Sequence, residues 1–216
     1  MSSSSAGSLL ASIVLFAFPH AGYAASPADQ EFGSITRLDP NAARGRELFD
    51  ACAACHGDAG TGARDGTVPA IAGQHFNVIV WSLVSFRNGG RLDPRMQHFS
   101  DPRHLAGTQD IADVATYASR LQAKWSPAHE VGSNTPGAAE IYRRDCASCH
   151  GARALGDDAQ RYPRLAGQHY QYLLKRLRDA TENRRSTLAQ DHPRVLESLD
   201  SADLLDVSLY LSHLGP

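Results

Sequence analysis

The spacing of apolar residues along this chain is helical. Two segments, residues 108–122 and 201–214, place apolar side chains three or four positions apart with polar residues between them, which is typical of a helix with one buried face. A sustained alternation of apolar and polar residues, typical of a half-buried strand, does not occur in the sequence. The pattern therefore predicts an all-α protein.

These two segments are parts of a duplication. At a separation of 94 positions, PAIAGQHF at residues 69–76 aligns with PRLAGQHY at residues 163–170. At a separation of 93 positions, the helical segments themselves align. The sequence thus predicts two tandem domains, at residues 25–123 and 135–216, joined by a linker at residues 124–134 that contains tryptophan, proline and glycine.

Each copy is expected to open with a helix that starts at a capping residue and a proline, at Asp39 in the first copy and Thr135 in the second. Each helix runs into the pentapeptide Cys-x-x-Cys-His. Two thiols one helical turn apart can add to the vinyl groups of one porphyrin, and the adjacent histidine can bind its iron. A zinc site or a redox-active thiol pair would use a bare Cys-x-x-Cys. The repeated histidine instead predicts two covalent haem c groups, attached through Cys52, Cys55, Cys146 and Cys149.

The first 24 residues are predicted to be a signal peptide. An apolar run at residues 9–18 is too short to span a bilayer and is followed by small residues, although no Lys or Arg precedes it. An uncleaved anchor is the alternative. Nothing later in the chain is long and apolar enough to cross a membrane, so the mature protein is expected to be soluble and periplasmic.

Charge excludes some partners. The chain has 21 Lys and Arg against 23 Asp and Glu, a net charge of −2, which does not favour binding to nucleic acid or anionic lipid. A local basic group in the second copy indicates either a solvated helix face or a docking site for an acidic partner. Its members are Arg161, Arg164, Lys175, Arg176, Arg178, Arg184 and Arg185.

The haem motifs, the paired Ala-Gly-Gln-His segments and the closing helices resemble the dihaem cytochrome c4 family of bacterial periplasmic electron carriers, from about residue 41 to the C-terminus. The resemblance implies two class I cytochrome c domains, each a small helical domain wrapped round one haem and related to the other by a pseudo-twofold axis. It also implies His56 and His150 as proximal iron ligands, with the carbonyls of Pro69 and Pro163 accepting hydrogen bonds from their Nδ1 groups.

The sixth ligand of haem 1 is predicted to be Met96. The family typically has methionine on both irons, and Met96 is the one methionine that remains after removal of the leader. It lies in the loop before the first closing helix, where the family's methionine stands, within the polar stretch Arg-Met-Gln-His. His98 and His104 are rival donors for the same iron.

The second copy contains no methionine, and His192 is the predicted sixth ligand of haem 2. It lies 12 residues before Leu204, whereas Met96 lies 15 before the equivalent Ile111, so the second loop is three residues shorter. A solvated loop histidine beside an open or water-ligated iron is one alternative. His169 is another candidate donor, although its counterpart His75 stands in a domain where Met96 fills that role.

The predicted function is single-electron transfer in a respiratory chain, without substrate turnover, for example from a cytochrome bc1-type donor to a terminal oxidase or reductase. A thioether favours ferrous iron and a second imidazole favours ferric iron, so haem 1 is expected to have the higher potential. Two alternatives remain at this point. One is a dihaem enzyme of the peroxidase type, and the other is the cytochrome subunit of a membrane oxidase or dehydrogenase.

Overall fold

A computed structural model of the protein describes residues 25–122, 136–182 and 191–215. Within these ranges the regular elements are helices, apart from one antiparallel bridge between Asp157 and Tyr162, so the predicted all-α fold is confirmed. The first domain contains α1 (Pro27–Ile35), α2 (Ala42–His56), α3 (Phe76–Arg87), α4 (Pro94–Ser100) and α5 (Thr108–Arg120). The second contains α6 (Pro136–Ile141), a π-helix (Tyr142–Cys146), α7 (Ala147–His150), α8 (Tyr170–Thr181), α9 (Asp191–Leu196) and α10 (Ser201–His213).

The crossing of α2 and α5 forms the centre of the first domain. Phe49 of α2 meets Tyr117 of α5 edge to face, with ring centroids 5.2 Å apart. The helices approach closely at Gly45, where an added Cβ would lie 2.0 Å from the carbonyl oxygen of Asp113. A side chain at position 45 would therefore force the two helices apart.

We expect Gly45→Ala to destabilise the first domain by about 1–3 kcal/mol, because the new methyl group overlaps rigid backbone. Thermal unfolding followed by circular dichroism measures the effect. Gly137→Ala is the matched control, since that helical glycine has nothing within 4 Å of its added Cβ and should be neutral or slightly stabilising. Equal stability of the two variants would contradict the close crossing.

The start of α2 differs from the prediction. The cap is Asn41, not Asp39: its side chain accepts hydrogen bonds from the second and third helical N–H groups at 3.0 and 3.1 Å. The same residue is tied to α5, because its backbone N–H donates to Oδ1 of Asp113 at 2.7 Å, and Arg44 forms an ion pair with Asp113 at 2.9 Å. This contact with α5 fixes where the helix begins. The predicted cap of the second copy, Thr135, lies outside the described residues.

The second domain repeats this arrangement with one extra residue. Phe49 lies three positions before Cys52, whereas the equivalent Tyr142 lies four positions before Cys146, and the π-helix accommodates the difference. Tyr142 remains buried and its ring lies 5.7 Å from that of Tyr210, as Phe49 lies against its partner in α5. The wide turn therefore keeps both the core residue and the cysteines in register.

Helix α1 is an element that the sequence pattern did not predict. It packs on α3, where the ring of Phe32 meets Trp81 edge to face at 5.7 Å. The guanidinium of Arg161, from the second domain, lies over both rings, 4.9 Å from Phe32 and 4.5 Å from Trp81. Arg161 has a φ of 59°, a left-handed conformation uncommon for a residue with a side chain. Helix α1 thus contributes to the contact between the domains.

The predicted signal peptide at residues 1–24 and the predicted linker at residues 124–134 fall outside the described residues, so both stay predictions. Within the part that the structure describes, no helix combines the length and apolar composition needed to cross a bilayer.

Candidate functional site

The first Cys-x-x-Cys-His motif forms the last turn of α2. His56 ends the helix and is only 6% exposed. Its Nδ1 donates to the carbonyl oxygen of Pro69 at 2.9 Å, which leaves Nε2 as the nitrogen able to bind a metal. Burial, then the positive charge of Arg95, lowers the pKa of His56, although the hydrogen bond to Pro69 opposes the shift. The neutral imidazole that an iron ligand requires is favoured.

The second motif has the same geometry. His150 is 5% exposed, and its Nδ1 donates to the carbonyl oxygen of Pro163 at 3.0 Å. Burial again lowers the pKa of His150, with a smaller contribution from His192. In both domains the structure agrees with the expected pairing of the motif histidine with a proline carbonyl.

Glycines hold these proline carbonyls in place. The loop after each motif folds back so that Gly62 N–H donates to the His56 carbonyl at 2.8 Å and Gly156 N–H donates to the His150 carbonyl at 2.9 Å. An added Cβ would lie 2.5 Å from the Pro69 carbonyl carbon at position 62, and 2.2 Å from the Tyr162 carbonyl oxygen at position 156. Both glycines also have positive φ, 74° in each case, which glycine adopts without strain. The glycine-rich loop therefore supports the histidine's acceptor.

The cysteines lie beside these histidines. Cys55 and Cys149 are exposed, and the more buried Cys52 and Cys146 pack against the two domain cores. Burial raises the pKa of the Cys52 thiol to about 11 and that of the Cys146 thiol to about 11. Among the described residues, no three or more His, Cys, Asp or Glu side chains come together in a group that could hold a metal ion.

Helix α4 carries Met96. Asp93 caps the helix, with Oδ1 accepting from the Met96 N–H at 3.2 Å, and Met96 is half-buried against the first core. The rival donors His98 and His104 are exposed, and their rings lie 4.3 Å apart, packed against each other and Phe99. Met96 is thus the candidate that faces the interior of the domain.

Helix α9 carries His192. Its residue Leu196 is buried in a cluster with Leu199 and Leu204, which holds α9 between α8 and α10. The ring of His192 lies near that of His150, with centroids 6.1 Å apart and planes inclined at 61°. The sequence-predicted pair of histidines is therefore brought together.

The other candidate donor, His169, is placed elsewhere. It precedes α8, and its Nε2 lies 2.8 Å from the carbonyl oxygen of Thr61 in the first domain. Its counterpart His75 precedes α3, with Nε2 2.8 Å from the carbonyl oxygen of Leu155 in the second domain. Both histidines join the two domains instead of approaching the motif histidines.

Comparison with known proteins agrees with this arrangement. The cytochrome c family model matches twice, at residues 42–122 and 137–215, each match spanning one motif and its closing helix. The chain belongs to the cytochrome c family. It is 28% identical over 201 residues to cytochrome c4 of Azotobacter vinelandii, covering 81% of this chain and 89% of that protein.

Two further relatives show which cytochromes c this chain is similar to. The structure of reduced cytochrome c4 from Pseudomonas stutzeri superposes with a TM-score of 0.69 at 26% identity, covering 82% of this chain and 100% of that one. A protein of Stutzerimonas stutzeri named thiosulfate dehydrogenase electron acceptor is 28% identical over 178 residues, covering 76% of this chain and 79% of that protein. The chain is therefore a cytochrome c4-like, dihaem c-type electron-transfer protein, and its cofactors are two covalent haem c groups.

The residues present fit a haem in each cytochrome c domain. A buried, neutral imidazole beside two cysteine thiols is the donor set that a covalent haem needs. Near the domain contact, two guanidinium nitrogens, Arg91 Nε and Arg176 Nε, are buried without an acceptor among the described residues. Such cations suit the carboxylates of a porphyrin.

Part of the basic group predicted in the second cytochrome c domain has partners within the chain. Arg161 stacks on the first domain, and Lys175 and Arg176 both pair with Asp179, at 3.1 and 2.9 Å. Arg164 takes part in the domain contact through its backbone. These contacts engage part of the group, but Arg161, Lys175 and Arg178 are exposed, so the docking interpretation stays a prediction. Arg184 and Arg185 lie outside the described residues.

Sequence reasoning missed the role of the repeated glutamine. Gln74 donates to the carbonyl of Arg164 at 3.0 Å and accepts from its N–H at 2.9 Å. Gln168 makes the same pair of bonds to Ala70, at 2.8 and 3.0 Å. The repeat of Ala-Gly-Gln-His in both copies was the available signal, because the glutamine recurs at the same position of both domains, as the histidine does.

Proposed function

We propose that the protein is a periplasmic carrier of single electrons, in which His56 and Met96 bind the iron of haem 1 while His150 and His192 bind that of haem 2. The bound haem groups supply the one-electron chemistry, and the chain supplies the ligands that distinguish their potentials. The observation that carries this proposal is the distance of 6.1 Å between the His150 and His192 rings.

That distance suits two imidazoles on one iron. Two imidazoles that held one metal ion between them would have ring centres about 6 Å apart, because each metal–nitrogen bond is about 2 Å long and the ring centre lies roughly 1 Å beyond the nitrogen. His150 turns its Nδ1 towards Pro163, so its Nε2 is the nitrogen available for the iron. The inclination of 61° between the rings is compatible with rotation of two imidazoles about a shared axis.

Support for Met96 comes from its surroundings. It is half-buried against the first core, whereas both rival histidines are exposed and pack on each other. The positive charge of Arg95, next to Met96 in α4, contributes to the lowered pKa of His56, which supports a position of Met96 near the haem site. A thioether at this position would complete a His/Met pair.

The two ligand sets differ, so the two potentials should differ. Sulfur from Met96 favours ferrous iron, and a second imidazole from His192 favours ferric iron. An electron arriving from a donor would therefore rest in the first domain. This asymmetry gives a preferred order of reduction within one chain.

The partners are proposed from chemistry and from the relatives. A relative is named as the electron acceptor of a thiosulfate dehydrogenase, so a periplasmic dehydrogenase is one donor class that the likeness supports. A cytochrome bc1-type donor and a terminal oxidase or reductase as acceptor complete the respiratory route proposed here. Export through residues 1–24 accounts for the periplasmic location, where haem is attached to exported chains.

Redox titration followed by optical spectroscopy tests the proposal. We expect two resolved one-electron potentials, rapid oxidation of the reduced protein by a small cytochrome, and negligible turnover of hydrogen peroxide. The last result is expected because the two proposed protein ligands of each iron would leave no open position for peroxide. Sustained peroxide reduction at enzymatic rates, about 1–1000 per second, would instead establish the peroxidase alternative.

A further inference from the structure

Each domain reaches, through one glutamine, the peptide group that supports the other domain's haem-binding histidine. We propose that Gln168 tunes haem 1 and Gln74 tunes haem 2, acting as positioning residues through a shared peptide. This inference rests on the proposed function, since it takes His56 and His150 as iron ligands. It adds a cross-domain control of the two potentials.

In the first domain the contacts form a continuous chain of hydrogen bonds. His56 Nδ1 donates to the Pro69 carbonyl oxygen at 2.9 Å. The peptide group containing that carbonyl also contains the N–H of Ala70, which donates to Oε1 of Gln168 at 3.0 Å. One peptide plane therefore connects the histidine of the first domain to the glutamine of the second.

The mirror-image chain exists in the second domain. His150 Nδ1 donates to the Pro163 carbonyl oxygen at 3.0 Å, and the N–H of the same peptide, from Arg164, donates to Oε1 of Gln74 at 2.9 Å. Every member stands 94 positions from its counterpart, and the residue types differ only where Arg164 corresponds to Ala70. The duplication has thus preserved the geometry and not the side chain of the bridging residue, as expected when the backbone carries the interaction.

The glutamine amides are fixed in the orientation that this chain needs. Oε1 of Gln168 accepts from the Ala70 and His169 N–H groups, both at 3.0 Å, while Nε2 donates to the Ala70 carbonyl at 2.8 Å. Reversing the amide would place a donor against two donors. Gln168 is also 9% exposed, so water competes little for these bonds.

A peptide polarised at its N–H becomes a better acceptor at its carbonyl, because hydrogen bonds in a chain strengthen one another. A stronger acceptor draws the Nδ1 proton of the proximal histidine and makes the imidazole a more basic iron ligand. A more basic ligand stabilises ferric iron and lowers the potential. Contact between the domains should therefore lower both potentials, each through the opposite glutamine.

Gln168→Met removes the amide and keeps the length of the side chain. We expect it to raise the potential of haem 1 by an amount equal to a two- to threefold change in the reduction equilibrium, which is about 20–30 mV for one electron, and to leave haem 2 unchanged. Gln74→Met should raise the potential of haem 2 by a similar amount and leave that of haem 1 unchanged. Spectroelectrochemical titration measures both, with the sulfur-to-iron charge-transfer band identifying the Met-ligated haem.

Asn77→Ala is the matched control. Asn77 Nδ2 donates across the same domain contact to the Asp158 carbonyl at 3.1 Å, but Asn77 lies outside both hydrogen-bond chains. It should leave both potentials unchanged. If the glutamines had only a structural role, each variant would shift the potentials of both haems together or shift neither potential. Either pattern would overturn the inference.

A measurement on the unaltered protein covers the case in which the methionine variants fail to take up haem. In the reduced protein, nuclear magnetic resonance should detect scalar coupling across the hydrogen bond from the Ala70 N–H to the Gln168 side-chain carbonyl. Its absence, with the amide exchanging freely, would overturn the inference. Two low-spin haems with resolved potentials in the wild type, together with unmoved potentials in the variants, would reject this inference while leaving the proposed function intact.

Discussion

Replacing His192 by alanine is expected to convert haem 2 from six-coordinate and low-spin to an open, high-spin state. The imidazole whose ring centre lies 6.1 Å from that of His150 is removed, and the other candidate donor, His169, has its Nε2 2.8 Å from the Thr61 carbonyl oxygen in the first domain. Loss of an imidazole that favours ferric iron should also raise the potential of haem 2. Electron paramagnetic resonance of the oxidised protein and carbon monoxide binding to the reduced protein measure the change, which should leave haem 1 unaltered.

His169→Ala is the control for this experiment. It removes an imidazole from the same domain without touching the proposed ligand pair, so both haems should keep their spin state. High-spin iron in the wild-type protein would show that His192 does not bind the iron of haem 2, and the peroxidase alternative would regain support. High-spin haem 2 in the His169 variant, with an unchanged His192 variant, would transfer the ligand assignment to His169.

The parts of the molecule that the sequence predicted are those set by local spacing. The Cys-x-x-Cys-His motif needs five consecutive residues, and the closing helices need only a periodic apolar face, so α5 and α10 lie within two residues of the expected bounds. The duplication added long-range information, because a match 94 positions away shows that a segment is reused as a unit. Both the haem count and the helical fold follow from these features.

Interactions that join distant segments could not be predicted in this way. The cap of α2 is decided by Asp113, 72 positions from Asn41, and the role of Gln168 depends on Ala70, 98 positions away. The π-helix has a local cause, the change in separation from 93 at Tyr142 to 94 at Cys146, which is visible once the core residues of both copies are aligned. The sequence pattern alone did not show where in the helix the extra residue would be accommodated.

The basic group shows that a list of charges does not by itself define a docking surface. Asp179 lies four positions from Lys175 and three from Arg176, a spacing at which helical side chains meet, so this pairing was open to sequence reasoning. Arg161 offered no such signal, since its partners are the aromatic rings of Phe32 and Trp81 in the other domain. Charged residues near a domain contact therefore need their partners identified before a surface is inferred.

Replacing Met96 by alanine is expected to abolish the sulfur-to-iron charge-transfer band of haem 1 and to lower its potential by on the order of 0.1–0.3 V, a part of the range of about 0.8 V that axial ligands span. Met96 is half-buried against the core of its domain, and removing its thioether takes away the ligand that favours ferrous iron. The difference between the two potentials should then become smaller or change sign. Carbon monoxide should bind at haem 1 in this variant, whereas it binds at haem 2 in the His192 variant.

His98→Ala is the matched control two residues along α4, because its exposed ring packs on His104 and outside the first core. It should leave the charge-transfer band and both potentials unchanged. A band that survives in the Met96 variant would show that sulfur is not the ligand of haem 1, and a spectrum altered by His98→Ala alone would identify the histidine in its place. If these variants assign Met96 and His192 as ligands, the difference between a thioether and an imidazole would account for electron movement from the second domain to the first.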